Sequence, residues 1–214
     1  MTTQPPSSQP PAEPAYADRV FRSSMAIAGG VLLLALGGWL GGDAMVRGEG
    51  RTPWLALAGL LLVVPLVVAF TFRPAVFVND DRLRIRNPFR TIVLPWAQVA
   101  DVRASYSSEV ITQSGAKYQL WAVPVSLRQR KKAARQQVRK SQDDPHGRTS
   151  VTASVDDKAR VAPADQTIAD LREQAERCGR LPGAQGEVKI RWAYEILAPS
   201  LAGLVVMIVL LATG

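Results

Sequence analysis

The sequence predicts an α+β membrane protein: three transmembrane helices plus a cytoplasmic small antiparallel β-barrel with one or two helices. Two observations carry this. Three long runs hold no charged residue, Ser24–Gly42 (19 residues), Pro53–Phe72 (20) and Ile196–Thr213 (18). Between the second and third, the apolar period shortens to two, the period of a half-buried strand. Whole-chain averages hide both features. Over 214 residues the chain is 47% hydrophobic and 21% charged, with 26 Lys+Arg against 18 Asp+Glu and a mean hydropathy of +0.03. Such values describe an ordinary soluble chain, but the charges are segregated, so one soluble globule is excluded. Collagen-like and wholly disordered chains are excluded by the apolar content and the absence of a G-X-Y period.

Each apolar run is long enough to cross the hydrocarbon core, since 18–20 residues at 1.5 Å span about 27–30 Å. Three buried core helices of that length are too many for so small a polar remainder. A cleaved signal peptide is disfavoured as well: 23 residues precede the first run, and a second run follows within ten residues. Residues 24–72 therefore read as a helical hairpin (24–42 and 53–72). Pro199 lies in the first turn of the third helix (196–213), where a missing N–H costs little. Orientation follows from positive charge. Placing the N-terminus and residues 73–195 in the cytoplasm puts 24 of 26 basic residues inside and the C-terminus outside. Trp39 and Trp54 then fall near the outer interface, and Phe72, Trp192 and Tyr194 near the inner one. Gly37, Gly38, Gly41 and Gly42 form small-xxx-small pairs that let helices approach closely; packing within the three-helix unit is the reading preferred over self-association. No span carries an ionisable residue, which argues against a pump or secondary transporter.

Residues 1–23 read as a disordered tail, rich in Pro, Ser, Gln and Thr. Six strand candidates follow the hairpin within 73–123: Ala75–Asn79, Arg82–Asn87, Arg90–Leu94, Val99–Ala104, Glu109–Thr112 and Lys117–Val123. Asn79-Asp80-Asp81, Asn87-Pro88 and Gln113-Ser114-Gly115 supply turns. The connections are too short for βαβ crossovers, so the pairing is antiparallel. Residues 124–162 read as a basic helical segment and polar loop, with Arg128, Arg130, Lys131, Lys132, Arg135, Arg139 and Lys140 and no acid from Ser126 to Gln142. Residues 163–180 read as an amphipathic helix packed on the β domain. Pro163 opens it, Gly179 follows it, and Ile168, Leu171, Ala175 and Cys178 share one face. Residues 186–195 are juxtamembrane.

Three stretches of this region carry a family resemblance: Arg73-Pro74-Ala75-Val76, Leu83-Arg84-Ile85-Arg86-Asn87-Pro88-Phe89-Arg90 and Val93-Leu94-Pro95-Trp96-Ala97-Gln98-Val99. They resemble the bacterial pleckstrin-homology-like (PH) domains, which often follow a membrane hairpin in actinobacterial membrane proteins. The resemblance implies a bent antiparallel barrel capped by a C-terminal helix, and an interaction module rather than chemistry. Two departures stand out. Six strands are counted where the family has seven, and the first turn is acidic at Asp80-Asp81. Lipid-binding eukaryotic members carry a basic loop there, so no phosphoinositide site transfers.

Catalysis finds little support. His146, the only histidine, sits in a polar loop, and Cys178, the only cysteine, lies on an apolar face. Gly37–Gly42 falls inside an apolar span, not at a strand-to-helix turn, so it is no phosphate cradle. Asp156-Asp157 has no partner histidine. No metal site and no cofactor is expected. What remains is basic: the strand face of Arg82, Arg84 and Arg86 with Arg90 nearby, and the run Arg128–Lys140, without which the formal charge falls from +8 to +1. Both are candidate contacts for anionic lipid or an acidic partner. The sequence therefore points to a non-enzymatic multi-pass membrane protein presenting a PH-like interaction module to the inner leaflet or to a protein partner. Its partners are membrane lipids, a protein or a second copy. An accessory or scaffold subunit of a larger complex is the alternative. Nucleic-acid binding through Arg128–Lys140 is the lesser one, since no aromatic interleaving supports base stacking.

Overall fold

The computed structural model describes residues 18–104, 107–123 and 163–213. Arg128–Lys140, His146 and Asp156-Asp157 lie outside them.

Helix α1 spans Ser24–Arg47, with the Ser23 side chain accepting from the Ala26 N–H at its start. Helix α2 spans Thr52–Val67, with Pro53 in its first turn. It widens into a π turn over Val68–Phe72, three residues after Pro65, and the Arg73 N–H bonds the Val68 carbonyl at 3.0 Å. The chain leaves α2 through this turn directly into Arg73. After the β domain come α3, Pro163–Cys178, and α4, Tyr194–Ala212. Three segments, Ser24–Arg47, Thr52–Phe72 and Tyr194–Ala212, are long and apolar enough to cross a membrane. They expose large side chains such as Leu32, Trp39, Ile208 and Leu211 to their surroundings. That is the surface a helix needs when lipid is its solvent.

Helix α2 lies between α1 and α4, and glycines set its approach to both. A Cβ on Gly203 would fall 2.5 Å from the Leu62 backbone nitrogen, and one on Gly41 would fall 2.7 Å from a Leu60 methyl. Gly37, Gly38 and Gly42 meet nothing within 4 Å. Of these four glycines, Gly41 alone would bring a Cβ against a neighbouring helix. The others turn away because α1 has a single helical neighbour along this stretch.

Among the described residues, eight strands form two antiparallel sheets. The first has the order β1-β2-β3-β4-β8: β1 Arg19–Phe21, β2 Ala75–Val78, β3 Arg82–Arg86, β4 Arg90–Pro95 and β8 Lys189–Trp192. The second runs β5-β6-β7: Val99–Ala104, Ser108–Thr112 and Lys117–Gln119. A single 3-10 turn, Trp96–Gln98, carries the chain from one to the other. Asn79 builds the β2–β3 turn, its Oδ1 accepting from the backbone N–H of Asp81 (3.1 Å) and Arg82 (2.8 Å). Gly115, at φ +82°, closes the β6–β7 hairpin in a conformation that suits glycine. The sheets do not close into the expected barrel. Lys117–Val123 was expected as one strand, but it stops at Gln119, and the N–H of Val123 turns back to Leu120. Strands β1 and β8 instead occupy the two edges of the first sheet. Arg19–Phe21 is therefore a strand, not part of a disordered tail.

Alternation puts Val76, Val78, Leu83, Ile85, Ile92 and Leu94 on the inner face of the first sheet, all buried. Trp96, Val102, Val110 and Leu120 meet them from the second sheet and its flanks, and Ile168, Leu171 and Cys178 of α3 cover the same core. The Trp96 Nε1 donates to the Asn79 carbonyl at 2.7 Å, so the buried indole keeps its polar atom satisfied. An aromatic cluster ties this domain to α2. Phe70 of the π turn stands edge-on to Phe89 of the β3–β4 turn (5.3 Å) and to Trp121 (5.5 Å).

Candidate functional site

The outer face of the first sheet holds a recess of about 420 Å³. It is lined by Arg22, Arg73, Phe77, Arg84, Arg86, Thr91, Arg191, Trp192 and Glu195. Five arginines thus face one carboxylate. Strand register explains the grouping: Phe77 pairs with Arg84, and Arg86, Thr91 and Arg191 stand in one row across β3, β4 and β8. The remaining walls come from the roots of the apolar helices. Arg22 lies two residues before α1, Arg73 directly follows the π turn, and Glu195 is in the first turn of α4.

These arginines are not equivalent. Arg73 is fixed: its Nη1 reaches Glu195 Oε1 at 2.7 Å, its Nε the Asn87 carbonyl at 3.3 Å, and its Nη2 Thr91 Oγ1 at 3.4 Å. Arg84 is half engaged. Its Nη2 donates to Asp18 Oδ2 at 2.9 Å, and its guanidinium lies 4.2 Å from the centre of the Phe77 ring. Its Nε is buried without a hydrogen-bond partner. Asp18 also accepts from Asn79, so it pins the segment before β1 to the β2–β3 turn. Arg22, Arg86 and Arg191 make no ion pair among the described residues. Burial lowers the Arg86 pKa from its ordinary value, and the charges of Arg73, Arg22 and Arg84 add to this while Glu195 opposes it. The recess therefore holds a surplus of positive charge.

The sequence-predicted contact residues separate here. Arg84 and Arg86 enter the recess. Arg82 shares their face but stands exposed beyond it, opposite Pro95. Arg90 alternates onto the other face and lies over the Tyr118 ring at 5.7 Å. Arg22, Arg73 and Arg191 were missed as a site. Their signal, basic residues just outside the apolar runs, had served only to orient the spans.

The acidic β2–β3 turn is occupied by the protein itself. Gln174 Nε2 of α3 donates to Asp80 Oδ1 at 2.8 Å, and Arg177 lies 3.8 Å from the same oxygen. Among the described residues no cluster of three His, Cys, Asp or Glu side chains is placed to hold a metal ion.

Two antiparallel sheets enclose one core, a helix covers it, and an arginine-lined face joins it to the apolar helices. The chain belongs to the bacterial PH domain family, whose model matches residues 73–184, just over half of its length. Comparison with curated proteins and with solved structures gives no significant match. PH domains are typically non-catalytic interaction modules that commonly bind lipids or proteins. The matched span supplies Arg73, Arg84 and Arg86 to the recess; Arg22, Arg191, Trp192 and Glu195 come from the flanks.

Proposed function

We propose that this chain is a non-enzymatic multi-pass membrane protein that holds its PH domain against the cytoplasmic leaflet as an interaction module. The observation that carries the reading is the position of the arginine recess, at the meeting point of the sheet with the roots of all three apolar helices. In a bilayer those roots lie at headgroup depth. The exposed Trp192 and Tyr194 beside it suit the same depth, because an amphipathic ring favours the interface. Charge asymmetry supports the cytoplasmic side: only Arg47 and Arg51 lie between the first two spans, and positive charge beside the recess favours the inner face. The run Arg128–Lys140 adds to this on the same side, at about 1 kcal/mol for each basic residue near an anionic leaflet. The spans already provide attachment, so these charges orient the domain and select what it meets.

Hydrogen exchange of the full chain in nanodiscs tests the reading. In discs containing phosphatidylglycerol, peptides covering Arg82–Arg86 and Lys189–Trp192 are expected to exchange more slowly than in phosphatidylcholine discs. Salt is expected to reverse the difference. Equal exchange in both lipids at low salt refutes it.

A further inference from the structure

We propose that the recess on the outer face of the first sheet is a binding site for a single phosphate-bearing anion, grasped by Arg22, Arg84, Arg86 and Arg191. The proposal rests on the reading of the domain as a membrane-face module, and it names the ligand chemistry of that module.

Four features lead to it. The volume of about 420 Å³ lies in the range of small-ligand sites. Three of the four grasping arginines have no carboxylate partner among the described residues, and the fourth keeps a buried, unbonded Nε. That Nε is shielded from solvent, so what an anion in the recess relieves is the unpaired charge of Arg22, Arg86 and Arg191. Arg86 shows the same deficit electrostatically, since its surroundings oppose its own charge. Finally, two donors are held in place. Arg84 is laid against Phe77, and Thr91 Oγ1 accepts from Arg73, which leaves its hydroxyl hydrogen free to donate.

The number of donors selects the anion. A carboxylate offers two oxygens whose lone pairs lie in one plane. A phosphate presents oxygens in several directions and matches forks arriving from different strands. Arg22, Arg84, Arg86 and Arg191 arrive from the segment before α1, from β3 twice, and from β8. The phosphate belongs either to a lipid headgroup entering from the bilayer side or to a soluble phosphate ester.

Calorimetric titration of the full chain in uncharged maltoside micelles tests this with three probes: dioctanoyl phosphatidylglycerol, dioctanoyl phosphatidylcholine and glycerol 3-phosphate. The expected result is saturable one-to-one binding of phosphatidylglycerol, weakened about tenfold or more in Arg86→Gln and in Arg191→Gln, the effect of losing a charge-assisted bond. Arg103→Gln, outside the recess, is expected to bind like the parent. Arg191 is exposed on an edge strand and pairs through its backbone, so its variant keeps the fold. Glycerol 3-phosphate binding as tightly as the lipid supports the site with a soluble source; binding of the lipid alone supports it with a headgroup source. Unchanged affinity in both recess variants overturns the site. So does a poly-glutamate peptide that binds the recess more tightly than either phosphate probe. If the recess variants bind unchanged while anionic nanodiscs still protect β3 and β8, the site falls and the membrane-face reading stands. If that protection is absent as well, both fall.

Discussion

Arg73 and Glu195, 122 positions apart in sequence, meet at 2.7 Å and tie the end of the second apolar helix to the first turn of the last one. Arg73 is only 10% exposed and also bonds the Asn87 carbonyl and Thr91, so it joins both helices to the β3–β4 hairpin. The arrangement predicts an asymmetry. Glu195→Gln removes one largely exposed partner and is expected to cost less than about 1 kcal/mol. Arg73→Ala strips bonds from three groups and is expected to cost about 1–3 kcal/mol. Thermal unfolding of the two variants in one detergent checks this; equal shifts contradict the central role given to Arg73.

The glycines of the helical unit predict a second contrast. Gly203→Ala places a methyl against the α2 backbone at Leu62 and is expected to push α4 away. Gly37→Ala meets open space and is expected to leave stability unchanged or slightly raised, since alanine is the better helix former. Disulfide crosslinking between cysteines on facing turns of α2 and α4 reads the separation directly. A loss of crosslinking is expected for Gly203→Ala alone.

Trp96 joins the two sheets through its ring and the bond its indole N–H donates to the Asn79 carbonyl. Trp96→Phe loses that bond, at about 1 kcal/mol, plus part of the packing. Trp96→Ala empties a fully buried site, and about 3–5 kcal/mol is expected to go. Urea unfolding followed by circular dichroism orders the two. Near-equal losses contradict a packing role for the ring.

Arg86 separates stability from binding. Burial, and then the charges of Arg73, Arg22 and Arg84, oppose its charge while Glu195 favours it, so without an anion Arg86→Gln is expected to leave the protein unchanged or slightly stabilised. Added phosphatidylglycerol is expected to raise the unfolding temperature of the parent more than that of the variant. A variant that unfolds markedly earlier without any anion shows Arg86 to be a structural residue.

How far the fold could be read from the residues follows from pattern length. The three apolar runs and the six strands between Ala75 and Gln119 repeat over enough residues to declare themselves. Arg19–Phe21 and Lys189–Trp192 do not, being three and four residues of mixed character. They are strands because β2 and β4 offer free edges, a tertiary cause that local pattern does not carry. The open architecture has the same origin, since these flanking segments take the edges a barrel would have joined. For the recess, alternation showed that Arg84 and Arg86 share a face. That Arg22, Arg73 and Arg191 join them depends on where three helix ends converge, and sequence spacing says nothing of that. Among the paired glycines, Gly41 alone faces a neighbouring helix within contact distance, because spacing identifies a stripe but not which neighbour it meets.

The depth of the recess in a bilayer bears most directly on the central claim. A spin label at Arg191→Cys, in a Cys178→Ser background and in phosphatidylglycerol-containing bilayers, reports it by power saturation, with Ser114→Cys as the reference. The account predicts headgroup depth for position 191, shielded from water-soluble relaxants, and full aqueous exposure for position 114. Equal aqueous accessibility at both positions would contradict it.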